Sequence, residues 1–307
     1  MRVYYSDHHE VILPPGHRFP MGKYAQLRRA LLDGVVPEPA FVAAPLAQRD
    51  ELILAHDPAY VDAFLAGTLD VAAMRTIGLP WSPALVARTR ASAGGTLAAV
   101  RHARACGFAA NLAGGTHHAA FDRGSGFCVF NDLAVAARWL LATNPAERVL
   151  VFDADVHQGD GTATLLANEP RTFTCSIHGA RNFPFRKAQS SLDVELDDNA
   201  GDMEFLRAVR GAWAQAVAVF RPTFLLYQAG VDALESDKLG RLRVSHAGMR
   251  ARDAFVFDAA LALGVPTVMT LGGGYAEPIS ETVRAHVATY QEALQRFGMQ
   301  PGCVERN

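Results

Sequence analysis

The chain has 307 residues, half of them hydrophobic and a fifth charged, which excludes disordered, collagen-like and membrane-spanning classes and leaves room for a sizeable core. Its 29 basic and 31 acidic residues give a formal net charge of -2, so nothing in the balance favours nucleic acid or another polyanion. Four scattered cysteines (Cys106, Cys128, Cys175, Cys303) form neither a CxxC pair nor a dense disulfide framework, and residues 1–9 lack the apolar stretch of a signal peptide; a reducing, cytoplasmic setting is expected.

In chain order, the first 80 residues are interrupted by Pro14, Pro15, Pro37, Pro39, Pro45, Pro58 and Pro80, and are expected to wrap the domain and build loops. Short apolar runs without polar alternation then follow at 108–113, 148–156, 172–177, 223–229 and 266–271. Such runs predict strands buried on both faces. Between them, helical spacing predicts helices over 132–142, 202–220 and 246–263. Every apolar run is cut by a charge, Gly or Pro well short of a bilayer span, so no membrane segment is expected. The alternation predicts one α/β domain over 1–307, an open, mostly parallel sheet with helices on both faces. No repeat, low-complexity tract or linker divides it.

Chemistry-bearing residues gather where the predicted strands end. After the first strand, Gly114-Gly115-Thr116-His117-His118-Ala119 brings two adjacent histidines out of a glycine turn. On an extended segment adjacent side chains point apart, so the pair is expected to serve separate polar roles rather than chelate one metal; a lone His here would more often be structural. In Val149 to Gly161 an apolar strand runs into Asp153, Asp155, His157 and Asp160. The strand period of two puts Asp153, Asp155 and His157 on one face, where three ionisable groups would sit desolvated without a cation. Any one of them alone, Asp160 included, reads equally as a helix cap.

Asp232 follows the strand at 223–229, and Tyr275 follows Gly272-Gly273-Gly274. Singly, these are a possible cap and an ordinary turn. Together with His117, His118, Asp155 and His157 they fall beyond the carboxyl ends of parallel strands, where open sheets bind ligands. Carboxylate and imidazole ligands suit zinc or ferrous iron, and three protein ligands would leave a position open for water, which points to hydrolysis.

Five segments carry a resemblance. They are Gly114 to His118, Gly124-Ser125-Gly126-Phe127-Cys128-Val129-Phe130-Asn131-Asp132, Asp153 to Gly161, Gln228-Ala229-Gly230-Val231-Asp232, and Gly272-Gly273-Gly274-Tyr275. The chain resembles the histone deacetylase branch of the arginase-deacetylase superfamily over nearly its whole length. His17 to Tyr24 and Gly78 to Ser82 look like class IV deacetylases and related bacterial proteins.

The resemblance implies a zinc (Zn2+, with Fe2+ possible) ligated by Asp155, His157 and Asp232, with Asp153 orienting His117 and Asp160 orienting His118. It implies His118 as proton carrier, His117 as an electrostatic partner, and Tyr275 as donor to the oxyanion. It implies a tunnel walled by Phe127 and Phe183 beside Gly126, and a structural potassium (K+) held through Asp153, Asp155, His157, Ser176 and Ile177. The implied substrate is the acylated lysine of a protein or peptide.

Three departures stand out: Gln158 where many relatives carry another His, three glycines rather than four before Tyr275, and no Asp in Gly78 to Ser82 to clamp a peptide backbone. The rival reading is a deacylase of small acylated amines such as acetylpolyamines, which an acidic rim would favour; a wide apolar tunnel would favour long acyl chains. An arginase-like ureohydrolase with two manganese ions would need further bridging ligands, and a non-catalytic module would show a broken ligand set.

Overall fold

The computed structural model describes residues 1–299; Cys303 and the last residues of the expected domain lie outside them. In chain order the elements are β1 (Arg2–Tyr5), α1 (Lys23–Leu32), β2 (Phe41–Ala43), α2 (Arg49–Leu52), α3 (Pro58–Ala66), α4 (Val71–Ile77), α5 (Pro83–Cys106) and β3 (Phe108–Asn111). There follow α6 (Asp132–Thr143), β4 (Val149–Asp153), α7 (Asp160–Leu166), β5 (Thr172–Gly179), β6 (Leu192–Leu196), α8 (Asp202–Phe220), β7 (Phe224–Gln228), α9 (His246–Leu263), β8 (Thr267–Thr270) and α10 (Ile279–Phe297). Among the described residues no helix is long and apolar enough to cross a membrane.

The strands form one eight-stranded sheet in the order β2-β1-β3-β8-β7-β4-β5-β6, with every neighbouring pair parallel. Both faces are covered, as the uninterrupted apolar runs require. Along β4, Leu150 and Phe152 pack into a core shared with α1, α8, α9 and α10, whereas Val149 and Val151 pack into a second core with α3, α5 and α6. β7 divides the same way, with Leu225 and Tyr227 on the first side and Phe224 and Leu226 on the second.

The five strands expected from buried apolar runs are β3, β4, β5, β7 and β8, and the three expected helices are α6, α8 and α9. Pairing stops sooner than the apolar runs do: β4 ends at Asp153 and β7 at Gln228, which are cross-strand partners. The residues beyond turn outward as loops. The N-terminal region departs from expectation, since it contributes two strands and α1 to α4 rather than loops alone. Pro58 is no breaker there: it occupies the first turn of α3 behind the cap Asp57, whose carboxylate accepts from the Ala59 N–H. Pro83 likewise opens α5 behind Ser82, whose hydroxyl accepts from Leu85 N. β6 had no apolar-run signature because it is a half-buried edge strand, Leu192–Leu196, with acids at alternate positions.

One buried cation fixes the two strand ends that matter most. The Arg252 guanidinium on α9 has no solvent exposure; it donates to the carbonyls of Ala154, Ala229 and Gly230 and pairs with Asp253 at 2.8 Å. Asp253 also accepts from the Tyr227 hydroxyl at 2.6 Å and from Thr289 Oγ1 at 2.7 Å. Arg252 thus closes off carbonyls that β4 and β7 can no longer use, just before Asp155 and Asp232. Arg252→Met should strand a buried carboxylate and cost about 3–5 kcal/mol, read as an earlier urea unfolding midpoint. A loss under about 1 kcal/mol would show that this cation is not what holds the strand ends.

Candidate active site and metal centre

Three donors converge beyond the sheet. His157 Nδ1 lies 3.1 Å from Asp155 Oδ1 and 3.1 Å from Asp232 Oδ2. Ligating atoms of Asp155, His157 and Asp232 all fall within 4.8 Å of one another, and all three residues are buried. The remaining carboxylate oxygens are pinned by backbone: Asp155 Oδ2 accepts from Gly273 N at 2.7 Å, and Asp232 Oδ1 from Val156 N at 2.9 Å. One oxygen of each acid is thereby turned toward the shared imidazole nitrogen. A tetrahedral zinc at about 2.0–2.2 Å from each donor needs donor separations of about 3.3–3.6 Å, which the two separations from His157 Nδ1 meet with shifts of a few tenths of an ångström.

The electrostatics call for a cation. Burial, followed by the charge of Asp155, pushes Asp232 up to about 7. Burial would lift Asp155 as well, but the His117 and His157 imidazoles hold it well below the usual carboxylate range. Burial would lower His157; the two carboxylates outweigh it and raise it to about 10, so its proton does the work an ion would do.

Period-two counting placed Asp153, Asp155 and His157 on one side; the structure puts Asp155 and His157 in the donor trio and leaves Asp153 beside it, on His117. Because pairing ends at Asp153, Asp155 and His157 meet in the turn that follows, while the Asp153 carboxylate reaches His117 Nδ1 at 2.7 Å. Asp232 from the end of β7 completes the trio. The expectation that His117 and His118 point apart is corrected too. Gly114 and Gly115 take left-handed conformations (φ 78° and 75°), so the segment is not extended, and the rings converge with their Nε2 atoms 3.1 Å apart. Each imidazole keeps its own carboxylate: Asp160, the first residue of α7, lies 2.7 Å from His118 Nδ1.

These contacts assign tautomers. Burial would lower His117, but Asp153 and Asp155 raise it to about 9. Burial and then the neighbouring His117 push His118 down to about 4. At neutral pH His117 is a cation donating through Nδ1 to Asp153 and through Nε2 to His118 Nε2, and His118 is neutral, with its proton on Nδ1 and its Nε2 lone pair accepting from His117.

A cavity of about 620 Å³ reaches this cluster, lined by His118, His157 and Tyr275, by Gly126, Phe127 and Phe183, and by more exposed residues at its mouth. Phe183 stands edge-on to His118 with ring centroids 4.8 Å apart, and Phe127 lies 6.2 Å from the Tyr275 ring. Phe127 is left-handed (φ 66°), an expensive conformation for an aromatic residue, held by its N–H to Ile77 O at 2.8 Å. Burial and then Asp232 keep the Tyr275 phenol well above its ordinary pKa, and so protonated. Of the residues expected to hold potassium, Ser176 is the cross-strand partner of Asp153, with its Oγ 3.0 Å from His178 Nδ1, and Ile177 is fully buried beside it. Gln158 is directed away from the cluster, to Asp193 and the Ala188 carbonyl.

Sequence reasoning missed several residues that set this geometry. Gln228 Nε2 lies 2.8 Å from His117 Nδ1, and Asp237 holds the Tyr275 loop by accepting from Tyr275 N at 2.6 Å. Lys23, 2% exposed, has its ammonium 4.9 Å from the centre of the Tyr275 ring and donates to Gly274 O at 3.2 Å. Gln228 and Lys23 stood inside quoted segments, so their signal was available; Asp237 stood in none, and the fold alone buries it beside Tyr275.

A family model described as "Histone deacetylase domain" matches residues 17–290. An uncharacterized protein of Picosynechococcus sp. is 41% identical over 292 residues, covering 95% of this chain and 97% of its own. Histone deacetylase 2 of Arabidopsis thaliana is 28% identical, over 92% of this chain and 75% of its own. Acetoin utilization protein AcuC of Bacillus subtilis is 34% identical over 66% of this chain and 57% of its own. A crystal structure of an HDAC homolog complexed with SAHA shares the fold, with a TM-score of 0.83 at 23% identity, over 97% of this chain and 84% of that one.

Because His157 carries a proton up to about pH 10 in the metal-free chain, an ion must displace it. Zinc uptake at pH 7 should release between about one and two protons per ion, one from His157 and a further fraction from Asp232, and affinity should rise with pH by about tenfold per unit above pH 7 and more steeply below it; calorimetry in buffers of different ionisation enthalpy reads both. Gly273→Ala would place a Cβ 1.8 Å from Asp232 Oδ2. That variant should bind zinc at least about tenfold more weakly, and unchanged affinity would mean that the trio is not the site.

Proposed function

This chain belongs to the histone deacetylase family, whose members are hydrolases acting on amides, and from that premise we propose that it is one catalytic domain removing acyl groups from lysine side chains. The observation that carries the proposal is the meeting, at the floor of one apolar-walled cavity, of a three-donor metal trio, a neutral imidazole and a protonated phenol. Asp155, His157 and Asp232 would hold zinc, and ferrous iron suits the same donors. A bound zinc would polarise the amide carbonyl and acidify a water.

The remaining steps belong to the chain's own residues. Phe127 and Phe183 would clasp the methylene stem of the lysine, with Gly126 leaving room between Phe183 and His118. His118 Nε2, once its lone pair turns from the His117 N–H to the attacking water, takes that water's proton and later returns one to the leaving amine, and Asp160 steadies the charge it gains. His117, already cationic through Asp153, contributes positive charge without exchanging its proton. Tyr275 donates its hydroxyl hydrogen to the oxygen that becomes negative as the carbonyl carbon turns tetrahedral. Potassium beside Asp153 and Ser176 would offset the acids clustered behind the trio.

With zinc loaded, His118→Ala should lower kcat/KM on an acetyl-lysine peptide by about 10²–10⁴-fold and Tyr275→Phe by about 10²–10³-fold. Metal content should match wild type in both. If the zinc-loaded or iron-loaded wild type turns over no acetyl-, trifluoroacetyl- or long-acyl-lysine peptide and no acetylated polyamine, the proposal is wrong.

A further inference from the structure

The cavity changes character along its depth. Its walls are apolar, and the charged residues that line it and remain exposed are Arg18, Arg181, Lys238 and Arg241, beside exposed Thr76 and Phe185, with no carboxylate among the lining residues. They stand on three separate loops: the one before α1, the one between β5 and β6, and the one between β7 and α9. Positive charge therefore surrounds the opening rather than marking one spot.

Neighbouring acids offset only part of it. Asp198 serves two guanidinia, Arg241 at 2.9 Å and Arg181 at 3.8 Å. Glu277 faces Lys238 at 3.6 Å, and both side chains are largely exposed, 79% and 60%. No ion pair to Arg18 occurs among the described residues. The other nearby carboxylates are committed elsewhere: Asp237 accepts from the backbone N–H groups of Leu239, Gly240 and Tyr275, and Asp160 holds His118. The four rim cations thus have only two carboxylates as ion-pair partners, while Asp237 and Asp160 keep their own charge below the rim.

We infer that this rim selects acyl-lysines set in acidic peptide segments and disfavours basic tails and acylated polyamines. The inference rests on the deacylase reading above and narrows its substrate class. A lysine inserted to the cavity floor leaves its chain running across the mouth in both directions. Acidic residues on either side then meet cations on different loops, which a small anion at one point would not. Charge complementarity of this kind acts on encounter and orientation, and fades as salt screens it.

The test uses the zinc-loaded full chain and acetyl-lysine peptides of one length whose flanking residues are glutamate, glutamine or arginine, beside N-acetylated spermidine. A succinyl-lysine peptide with glutamine flanks separates a carboxylate on the acyl group from carboxylates on the chain. Expected kcat/KM falls from glutamate through glutamine to arginine flanks, roughly tenfold from end to end at low salt, and the spread shrinks as salt rises. N-acetylated spermidine should rank with the arginine peptide or below, and succinylation should not substitute for acidic flanks. The double variant Arg18→Gln with Lys238→Gln should shrink the glutamate-to-glutamine ratio. If the glutamine peptide is hydrolysed but flanking charge makes no difference, or if the arginine peptide, the spermidine or the succinyl peptide leads, the rim does not select as inferred and the deacylase reading survives. If nothing in the set is hydrolysed, both fall.

Discussion

Two carboxylates taken almost wholly out of water, Asp155 at 1% and Asp232 at 0% exposure, converge on a single imidazole nitrogen, and the surrounding structure is arranged to tolerate that convergence. Buried like charges repel and lose hydration, so they persist only where hydrogen bonds and a counter-charge compensate. Backbone N–H groups of Gly273 and Val156 supply the hydrogen bonds. The protonated His157 imidazole supplies the charge. The parallel sheet makes the meeting possible because β4 and β7 are neighbours that stop in register, at Asp153 and Gln228, shortly before their acids.

A second layer of compensation lies behind the first. Arg252 satisfies the carbonyls abandoned by the two strands, and Asp153 and Asp160 each orient one histidine. The paired histidines show how far environment governs chemistry. Adjacent in sequence and facing each other at 3.1 Å, they are driven in opposite directions, one toward a permanent cation and the other toward a neutral base. The difference comes from the carboxylates: His117 feels both Asp153 and Asp155, while Asp160 beside His118 is partly solvated.

Much of this was legible in the sequence. Strands buried on both faces announce themselves by unbroken apolar runs, which is why β3, β4, β5, β7 and β8 could be read directly, and chemistry at their carboxyl ends follows from parallel topology. The half-buried edge strand β6 and the short β1 and β2 lacked that mark. Convergence of His117 with His118 was not legible, because left-handed Gly114 and Gly115 are fixed by distant partners; Asp132 accepts from the N–H groups of Gly115 and Thr116. Arg252, Lys23 and Asp237 were hidden for the same reason: each finds its partner through the fold and not along the chain.

Phe127 carries a consequence for how such a protein can change. Its left-handed backbone is one that glycine or asparagine would adopt with less strain. Selection for heat resistance alone would therefore drift position 127 toward those residues and erase one wall of the passage to the histidines. An aromatic ring kept there against its own conformational preference links thermal robustness and turnover inversely at one site.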